Sequence, residues 1–487
     1  MKRCLYILFL AGYLLTGCGT FASAAENQQA SLPFALVTAA PNASPTPTPF
    51  QPIPLLPTMT LEPSPTVDPS TPTPTVPPPT ETPVPTIDPN LLINSLVPFS
   101  TIEASGNSQV LNNGQETVNF LLIGSDRRSG TSFRTDTMVI VIVRPLEGQV
   151  SLISIPRDLW VSIPGSDNQR INTAYQLGDR IGYPGGGPGL LKDTILYNLG
   201  IRIDHTAMVD FDGFRQIVDT LGGVDVPVSC AYTDWRLIDP SYDPENENNW
   251  YLYTAGPGLM HMDGDLALWY ARSRQRSSDF DRGRRQQEVL RALFSQALKS
   301  DTISRIPELY NNFKETVVTD LGLGDILQLA VYAPKMTNAD IRSYYIRPPY
   351  VNSWITESGA YVLLPNEEML QGMLTEALSP STQIVEKQSI VIDVMNGTTI
   401  PGYETLAANR LNYAGYETHI VPSDRTDYAY SVLIDKSGTQ DSTPILGVMG
   451  MLPGSVISSP DPNSKAHYLL IIGYDYQPCF RPEQMGE

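Results

Sequence analysis

A layered α/β fold is the reading this 487-residue sequence supports, and three features carry it. Short β-branched apolar runs recur between turn-rich stretches, amphipathic segments lie between those runs, and the alternation restarts near the C-terminus in a smaller unit. Residues 120–124 (FLLIG), 138–143 (MVIVIV) and 150–155 (VSLISI) are short, apolar and rich in Val and Ile, which predicts buried strands. Residues 190–199, 211–221 and 282–298 place apolar side chains at helical spacing, which predicts helices. In the smaller unit, 390–421 reads as strand, turn, helix, strand. A short strand (SVLID), a helix near 443–451 and a closing strand (YLLIIG) follow.

The start of the chain points to export. Lys2 and Arg3 precede an apolar run that ends in Leu15-Thr16-Gly17-Cys18. That run is short for a bilayer span and has the length of a signal-peptide core. Its ending is similar to a bacterial lipobox, in which Cys18 is lipidated and becomes the mature N-terminus. An uncleaved membrane anchor and a plain signal peptide with an incidental cysteine are the alternatives. From about 41 to 89 the chain is almost all Pro, Thr and Ser, so an extended, polyproline-like tether is expected. At about 3.1 Å per residue, roughly fifty residues reach about 150 Å.

Composition excludes some functions. A formal charge of −19 on an exported chain argues against nucleic-acid binding. With four histidines and no Cys or His cluster at zinc spacing, a His-ligated metal is not expected. Cys230 and Cys479 could pair in an exported chain, but they lie far apart in sequence and in different units, so their pairing stays open. The stretch 185–189 (GGGPG) lacks the spacing of a phosphate loop and is expected to be an ordinary loop.

Chemistry gathers where strands end and helices begin. Asp126 follows FLLIG directly, and Asp136 opens MVIVIV. If those strands are neighbours, both carboxylates sit at one end of the sheet. There they suit a Mg²⁺ that keeps several waters and is completed by substrate phosphates; a pair of ordinary turn aspartates is the alternative. VSLISI runs into Pro156-Arg157-Asp158, and Arg170 stands beside Asn172 and Tyr175. Residues 267–274 (ALWYARSR) are expected to form a strand with Arg272 and Arg274 on one face, roughly 6.5–7 Å apart. That spacing suits two neighbouring phosphates. Asp279 or Asp281 is expected to cap a helix starting near Arg282. At about 100° per residue, Gln286, Val289 and Leu293 fall within roughly 40° of Arg282, on the apolar stripe. Arg284, Glu288 and Arg291 fall opposite, and Arg276, Arg284 and Arg285 are expected to face water. An inward Arg282 needs a partner, either an internal acid such as Asp279 or a bound anion.

These blocks, in order, resemble the LytR–CpsA–Psr family of bacterial cell-wall enzymes: NFLLIGSDRR, RTDTMVIVIV, SLISIPRDLWVSIPG, RINTAY, GFRQIVDTLGGVDV, HMDGDLALWYARSR and DFDRGRRQQ. The resemblance implies an α/β layered domain with a central mixed sheet and flanking helices, followed by a small LytR-type C-terminal domain. It implies transfer of a glycopolymer from a polyprenyl diphosphate to peptidoglycan, forming a phosphodiester with Mg²⁺ as cofactor. By the same resemblance, Asp126 and Asp136 are the metal carboxylates. Arg157, Arg170, Arg272, Arg274 and Arg282 are the diphosphate ligands, with Gln286 and Asp279 as partners. Asp136, Arg157, Asp279 and Arg282 are the catalytic set, and the proton acceptor stays open among Asp136, Asp158 and Asp279. Where many members have lysine, this chain has Arg170. Asp281 and Gly283 depart from a common DFGRIQRQQ pattern, which puts the local helix start in doubt.

The resulting organisation is a leader over 1–18, a tether over 19–116, a catalytic domain over 117–378 and a C-terminal domain over 388–476. The expected place is outside the cytoplasm, tethered to the bacterial membrane, with the lipid-linked glycan and peptidoglycan as partners. A polyprenyl-diphosphate phosphohydrolase and a non-catalytic wall-binding scaffold are the competing readings.

Overall fold

The computed structural model describes residues 111, 117–126, 135–298, 304–438 and 441–479. The expected leader, Cys18 and the Pro/Thr-rich tether lie outside the described residues. Six strands make the central sheet: β1 (Val118–Ser125), β2 (Thr135–Arg144), β3 (Gln149–Ile155), β4 (His205–Val209), β5 (Val317–Thr319) and β6 (Ile341–Tyr345). Their spatial order is β5-β4-β1-β2-β3-β6. β1, β2 and β3 form an antiparallel meander. β4 runs parallel to β1, β6 runs parallel to β3, and β5 is antiparallel to β4. The sheet is therefore mixed, and the three runs read as strands form its centre. Since β1, β3, β4 and β6 point the same way, their carboxyl ends share one edge with the start of β2.

Both faces are covered, which is why these strands read as continuous apolar runs. On one face Leu121, Ile123, Ile140, Ile142 and Ile153, none more than 1% exposed, pack with Leu190, Ile195, Leu199 and Leu374. Those partners come from helices Gly186–Leu199 and Glu367–Leu378. Each fully buried Leu or Ile contributes about 1.5–3 kcal/mol of transfer free energy. On the other face Val139 and Leu152 pack with Leu290 and Phe294 of the long helix Asp279–Ala297. The glycine stretch is not merely a loop. Gly185 turns the chain with φ 76° and Gly186 begins a helix. A Cβ on Gly187 would fall 2.3 Å from the Tyr175 ring, so glycine lets helix Ala174–Ile181 pack closely against its successor.

The C-terminal unit is α/β as expected. Strands Val391–Asn396, Glu417–Val421 and Tyr468–Ile472 run parallel, and Val432–Asp435 joins antiparallel to Tyr468–Ile472. Helices Tyr403–Tyr413 and Thr443–Met449 contribute Leu406, Leu411, Ile445 and Leu446 to its core. Cys230 and Cys479 are disulfide-bonded, a pairing that the sequence left open. Their separation of 249 residues is one of sequence only. Helix Tyr403–Tyr413 folds back against strands Val224–Val228 and Gly258–Met262, and the chain end returns beside Cys230. Among the described residues, no helix is long and apolar enough to cross a membrane.

Candidate functional site

The register of the central sheet brings the first two site residues together. Met138 pairs with Ile155, and carrying that ladder two residues further sets Asp136 level with Arg157. Arg157 Nη1 donates to Asp136 Oδ1 at 2.9 Å. Arg157 Nε faces Asp279 at 3.4 Å and Asp158 at 3.5 Å. Asp279 Oδ1 also stands 3.5 Å from Arg282 Nη1 and 3.6 Å from Arg274 Nη1. Asp158 lies between Arg157 and Arg170, whose Nε is 3.3 Å away, and Arg170 donates to the Tyr361 carbonyl at 3.0 Å. Four guanidiniums thus share three carboxylates. The local excess of positive charge sits in a chain whose net charge is −19.

Two of these cations differ sharply. Burial draws the Arg157 pKa down, but its hydrogen bond to Asp136 and the charges of Asp136, Asp279 and Asp158 outweigh that and raise it. Arg282 is 7% exposed. It faces Asp279 and the backbone carbonyl of Asp136, each at 3.5 Å, which is long for a charge-assisted hydrogen bond. Burial lowers its pKa; Asp279 and Asp136 oppose the shift, while Arg157 and Arg274 add to it. Arg157 is neutralised by the protein, and Arg282 is short of negative charge. A buried cation in that state has unused capacity for negative charge.

The helix Asp279–Ala297 delivers Asp279, Arg282 and Gln286 to the cleft from its first two turns. Ser278 caps it, accepting from the Asp281 N–H, and the helix start adds its own partial positive charge. Gln286 Nε2 donates to Thr137 Oγ1 at 2.8 Å and to the Ala271 carbonyl at 3.2 Å. Gln287 Nε2 donates to Ser154 Oγ at 2.8 Å and to the Tyr344 carbonyl at 3.0 Å, bridging β3 and β6. Asp136, Ser154, Arg157, Asp279, Arg282, Gln286 and Tyr345 line an open cleft of about 390 Å³, mouth included.

Other expectations are corrected. Residues 267–274 are not a strand: Gly264–Arg272 is a helix, capped by Asp263, which accepts from the Leu266 N–H. Its buried Leu266, Leu268 and Tyr270 mimic a period of two, so alternation alone misled. Arg272 and Arg274 therefore share no strand face. Arg272 ends that helix and stacks on Phe211, 4.2 Å from the ring centroid. Arg274, in the following loop, does reach Asp279. The next helix begins at Asp279, earlier than Arg282 and with Ser278 as its cap. Asp281 accepts from Arg284 at 2.8 Å, so this departure from the family pattern supports the helix start. Arg285 is fully buried, where solvation was expected. It donates to the carbonyls of Tyr270 and Ser273 and to Ser277 Oγ, and it lies 3.8 Å from the Tyr232 ring centroid. Arg284 pairs with Asp281 and Glu288 and is largely buried. Glu288 and Arg291 are buried too, at 8% and 2% exposed. The helix has no free outer side because another layer covers it. Arg276 is exposed as expected.

Asp126 follows the end of β1, just beyond the Ser125–Thr135 pair, so it lies on the same sheet edge as Asp136. It lies outside the cleft lining. Among the described residues, no three His, Cys, Asp or Glu side chains gather into a metal cage. Two aspartates on one edge, leaving most coordination positions to water and phosphate, have the donor chemistry of Mg²⁺ and not of Zn²⁺. Sequence reasoning missed Ser154, Tyr345 and Gln287. The second Gln of the RRQQ run was the one available signal, since only a helix facing two layers uses both.

The family model described as the LytR_cpsA_psr family matches residues 98–378. A relative named polyisoprenyl-teichoic acid–peptidoglycan teichoic acid transferase TagU, from Oceanobacillus iheyensis, is 31% identical over 217 residues. That alignment spans 44% of this chain and 62% of the relative. A protein of the same name from Halalkalibacterium halodurans is 33% identical over 219 residues, 44% of this chain and 64% of the relative. The chain thus spans less than two thirds of either relative. Regulatory protein MsrR of Staphylococcus aureus is 29% identical over 249 residues, 51% of this chain and 68% of its own length. The crystal structure of B. subtilis TagV is 26% identical with a TM-score of 0.44, covering 54% of this chain and 99% of that one.

Proposed function

We propose, from the premise that the chain belongs to the LytR–CpsA–Psr family, that it transfers a glycopolymer from a polyprenyl diphosphate carrier to a hydroxyl of peptidoglycan. The observation that carries this reading is Arg282, a buried guanidinium in the cleft whose one carboxylate, Asp279 at 3.5 Å, is shared with Arg157 and Arg274. The names of the two transferase relatives point the same way.

The acceptor oxygen forms a bond to the glycan-proximal phosphorus while the bond from that phosphorus to the polyprenyl phosphate oxygen breaks. Polyprenyl phosphate leaves with the electron pair. Arg157 and Arg282 stabilise the charge that spreads over the phosphoryl oxygens, and they are already in place before the reaction. Arg170 and Arg274 extend the clamp to either side, and Gln286 orients the phosphates by hydrogen bonding. Arg272, stacked on Phe211, is left out of the set. Asp126 and Asp136 would hold Mg²⁺, which as a Lewis acid supplies further neutralisation of phosphate charge. Of the three candidate proton acceptors, Asp158 lies outside the cleft lining, whereas Asp136 and Asp279 are part of it. With Asp136 given to the ion, Asp279 takes the proton of the acceptor hydroxyl. The reading places the protein outside the cytoplasm, tethered by lipidated Cys18 or an N-terminal anchor, where both substrates are found.

The test is to incubate the detergent-solubilised full chain with Mg²⁺, a polyprenyl-diphosphate glycan and peptidoglycan oligomers. Glycan covalently linked to peptidoglycan is the expected product. Polyprenyl phosphate with free phosphorylated glycan would show hydrolysis instead and sink the transfer reading. Asp136→Asn should lower turnover by about 100-fold or more, the scale of losing one charge-stabilising group. Unchanged turnover would remove the cleft from consideration.

A further inference from the structure

The helix that carries Asp279, Arg282 and Gln286 is held at its far half by a residue that the transfer chemistry does not use. Arg291 is 2% exposed. Its Nη2 donates to the Asn338 carbonyl at 2.9 Å and to the carbonyl of Ile341, the first residue of β6. β6 ends in Tyr345, which lines the cleft. One guanidinium therefore ties two walls of the cleft together. Among the described residues it forms no ion pair with any acidic side chain, and its Nε, also buried, has no hydrogen-bond partner. Its flat face is closed by Tyr413, with the guanidinium carbon 3.9 Å from the ring centroid. Burying a cation that has no ion-pair partner is costly, and the Tyr413 face offsets part of that cost, with a smaller contribution from the charge of Glu288.

Tyr413 belongs to the C-terminal domain, on helix Tyr403–Tyr413. That domain is fixed to the catalytic domain at both of its ends. Near its start, Gln388 Nε2 donates to Asp340 Oδ1 at 2.5 Å, next to β6. At its end, Cys479 is bonded to Cys230, which follows the strand Val224–Val228. That strand packs on the site helix in turn. Burial pushes the Tyr413 hydroxyl up to about 12, with Arg291 pulling the other way. The ring therefore stays neutral throughout the range in which a wall enzyme works.

We propose that Arg291 and Tyr413 are positioning residues for the transfer site. The C-terminal domain presses the Tyr413 ring onto Arg291 and so keeps the helix bearing Asp279, Arg282 and Gln286 in register with the strand ending in Tyr345. The Cys230–Cys479 bond locks that arrangement. This rests on the transfer reading for its activity measurement but not for its structural one.

The experiment uses the full chain with its disulfide intact, as wild type, Tyr413→Phe and Tyr413→Leu. Two measurements are made: steady-state transfer from a polyprenyl-diphosphate glycan, and amide hydrogen exchange across 279–290 without substrate. Tyr413→Phe keeps the ring face, and both measurements should stay within twofold of wild type. Tyr413→Leu should lower kcat at least tenfold with KM for the carrier changed less than threefold, and should raise exchange across 279–290 at least fivefold. A folded Tyr413→Leu protein with wild-type exchange and kcat overturns the proposal. So does Tyr413→Phe failing as badly as Tyr413→Leu, because the aromatic face would then be irrelevant. If Tyr413→Leu does not fold, Arg291→Lys takes its place, keeping the charge but losing the planar stack and the fixed donors. The same losses are expected, and wild-type values overturn the proposal. If wild type shows no transfer at all, the reading of function fails while the exchange measurement still decides the positioning.

Discussion

Arg282 and Arg285 stand three residues apart on one helix and both are buried, yet they should respond oppositely to the same change. For Arg282, the attraction to Asp279 at 3.5 Å amounts to about 5 kcal/mol at an effective dielectric near 20. Arg157 and Arg274 crowd the same carboxylate at 3.4 and 3.6 Å and repel Arg282. Desolvation takes away several kcal/mol more, on the order found for buried ions, so the sum is near zero or unfavourable. The lowered Arg282 pKa has the same sign. Arg282→Met keeps the length and removes the charge, so stability should change by less than about 1 kcal/mol, or rise. Turnover should fall about 100- to 1,000-fold, the cost of removing one preorganised charge-stabilising group. Arg285→Met is the control. It would orphan the Tyr270 and Ser273 carbonyls and uncover the Tyr232 ring, costing about 3–5 kcal/mol as a broken buried network does. Urea denaturation and transfer turnover on the same preparations check both. If Arg282→Met lost more than about 2 kcal/mol of stability, on the scale of breaking a buried charge pair, Arg282 would be a structural salt bridge and the anion argument would be refuted.

Two further outcomes follow from the fold. Cys230→Ser opens the link to Cys479 and should destabilise the protein by about 2–5 kcal/mol. Denaturation with and without reductant tests this, and a wild type indifferent to reductant would contradict it. Asp204 gives a pH signature. Burial, opposed by the Asn119 N–H and nearby His205, Arg202 and Lys192, raises its pKa from 3.8 to about 6. The native state then binds more protons than the unfolded state between pH 3.8 and about 6, so this group's contribution to stability falls as pH rises through that window. Relative to wild type, Asp204→Asn should gain about 2–3 kcal/mol between pH 4 and pH 7, since each tenfold change in proton affinity is worth about 1.4 kcal/mol. A pH-independent difference would show that Asp204 does not titrate there.

Much of this molecule was legible in its residues. The runs FLLIG, MVIVIV and VSLISI announced a sheet covered on both faces, and neighbouring β1 and β2 made Asp126 and Asp136 share an edge. Pro156 marked where Arg157 leaves the ladder, and the apolar stripe through Val289 pointed Arg282 and Gln286 inward. These are local facts, fixed by the period of a strand or helix and by what each side chain loses in leaving water. What only the tertiary structure decided is what covers each element. Leu266, Leu268 and Tyr270 satisfy a strand's alternation, while Leu266, Ala267 and Tyr270 satisfy a helix's stripe, and the Asp263 cap with its packing selected the helix. Glu288 and Arg291 fall on a face that a wheel assigns to water, and Arg285, about 60° from Arg282, stands at the margin of the apolar stripe. They are buried because Tyr270 of the preceding helix is joined by Tyr232 and Tyr413 from more distant parts of the chain. Cys230 meets Cys479 for the same reason: a chain that folds back erases sequence distance, and no local period records its return.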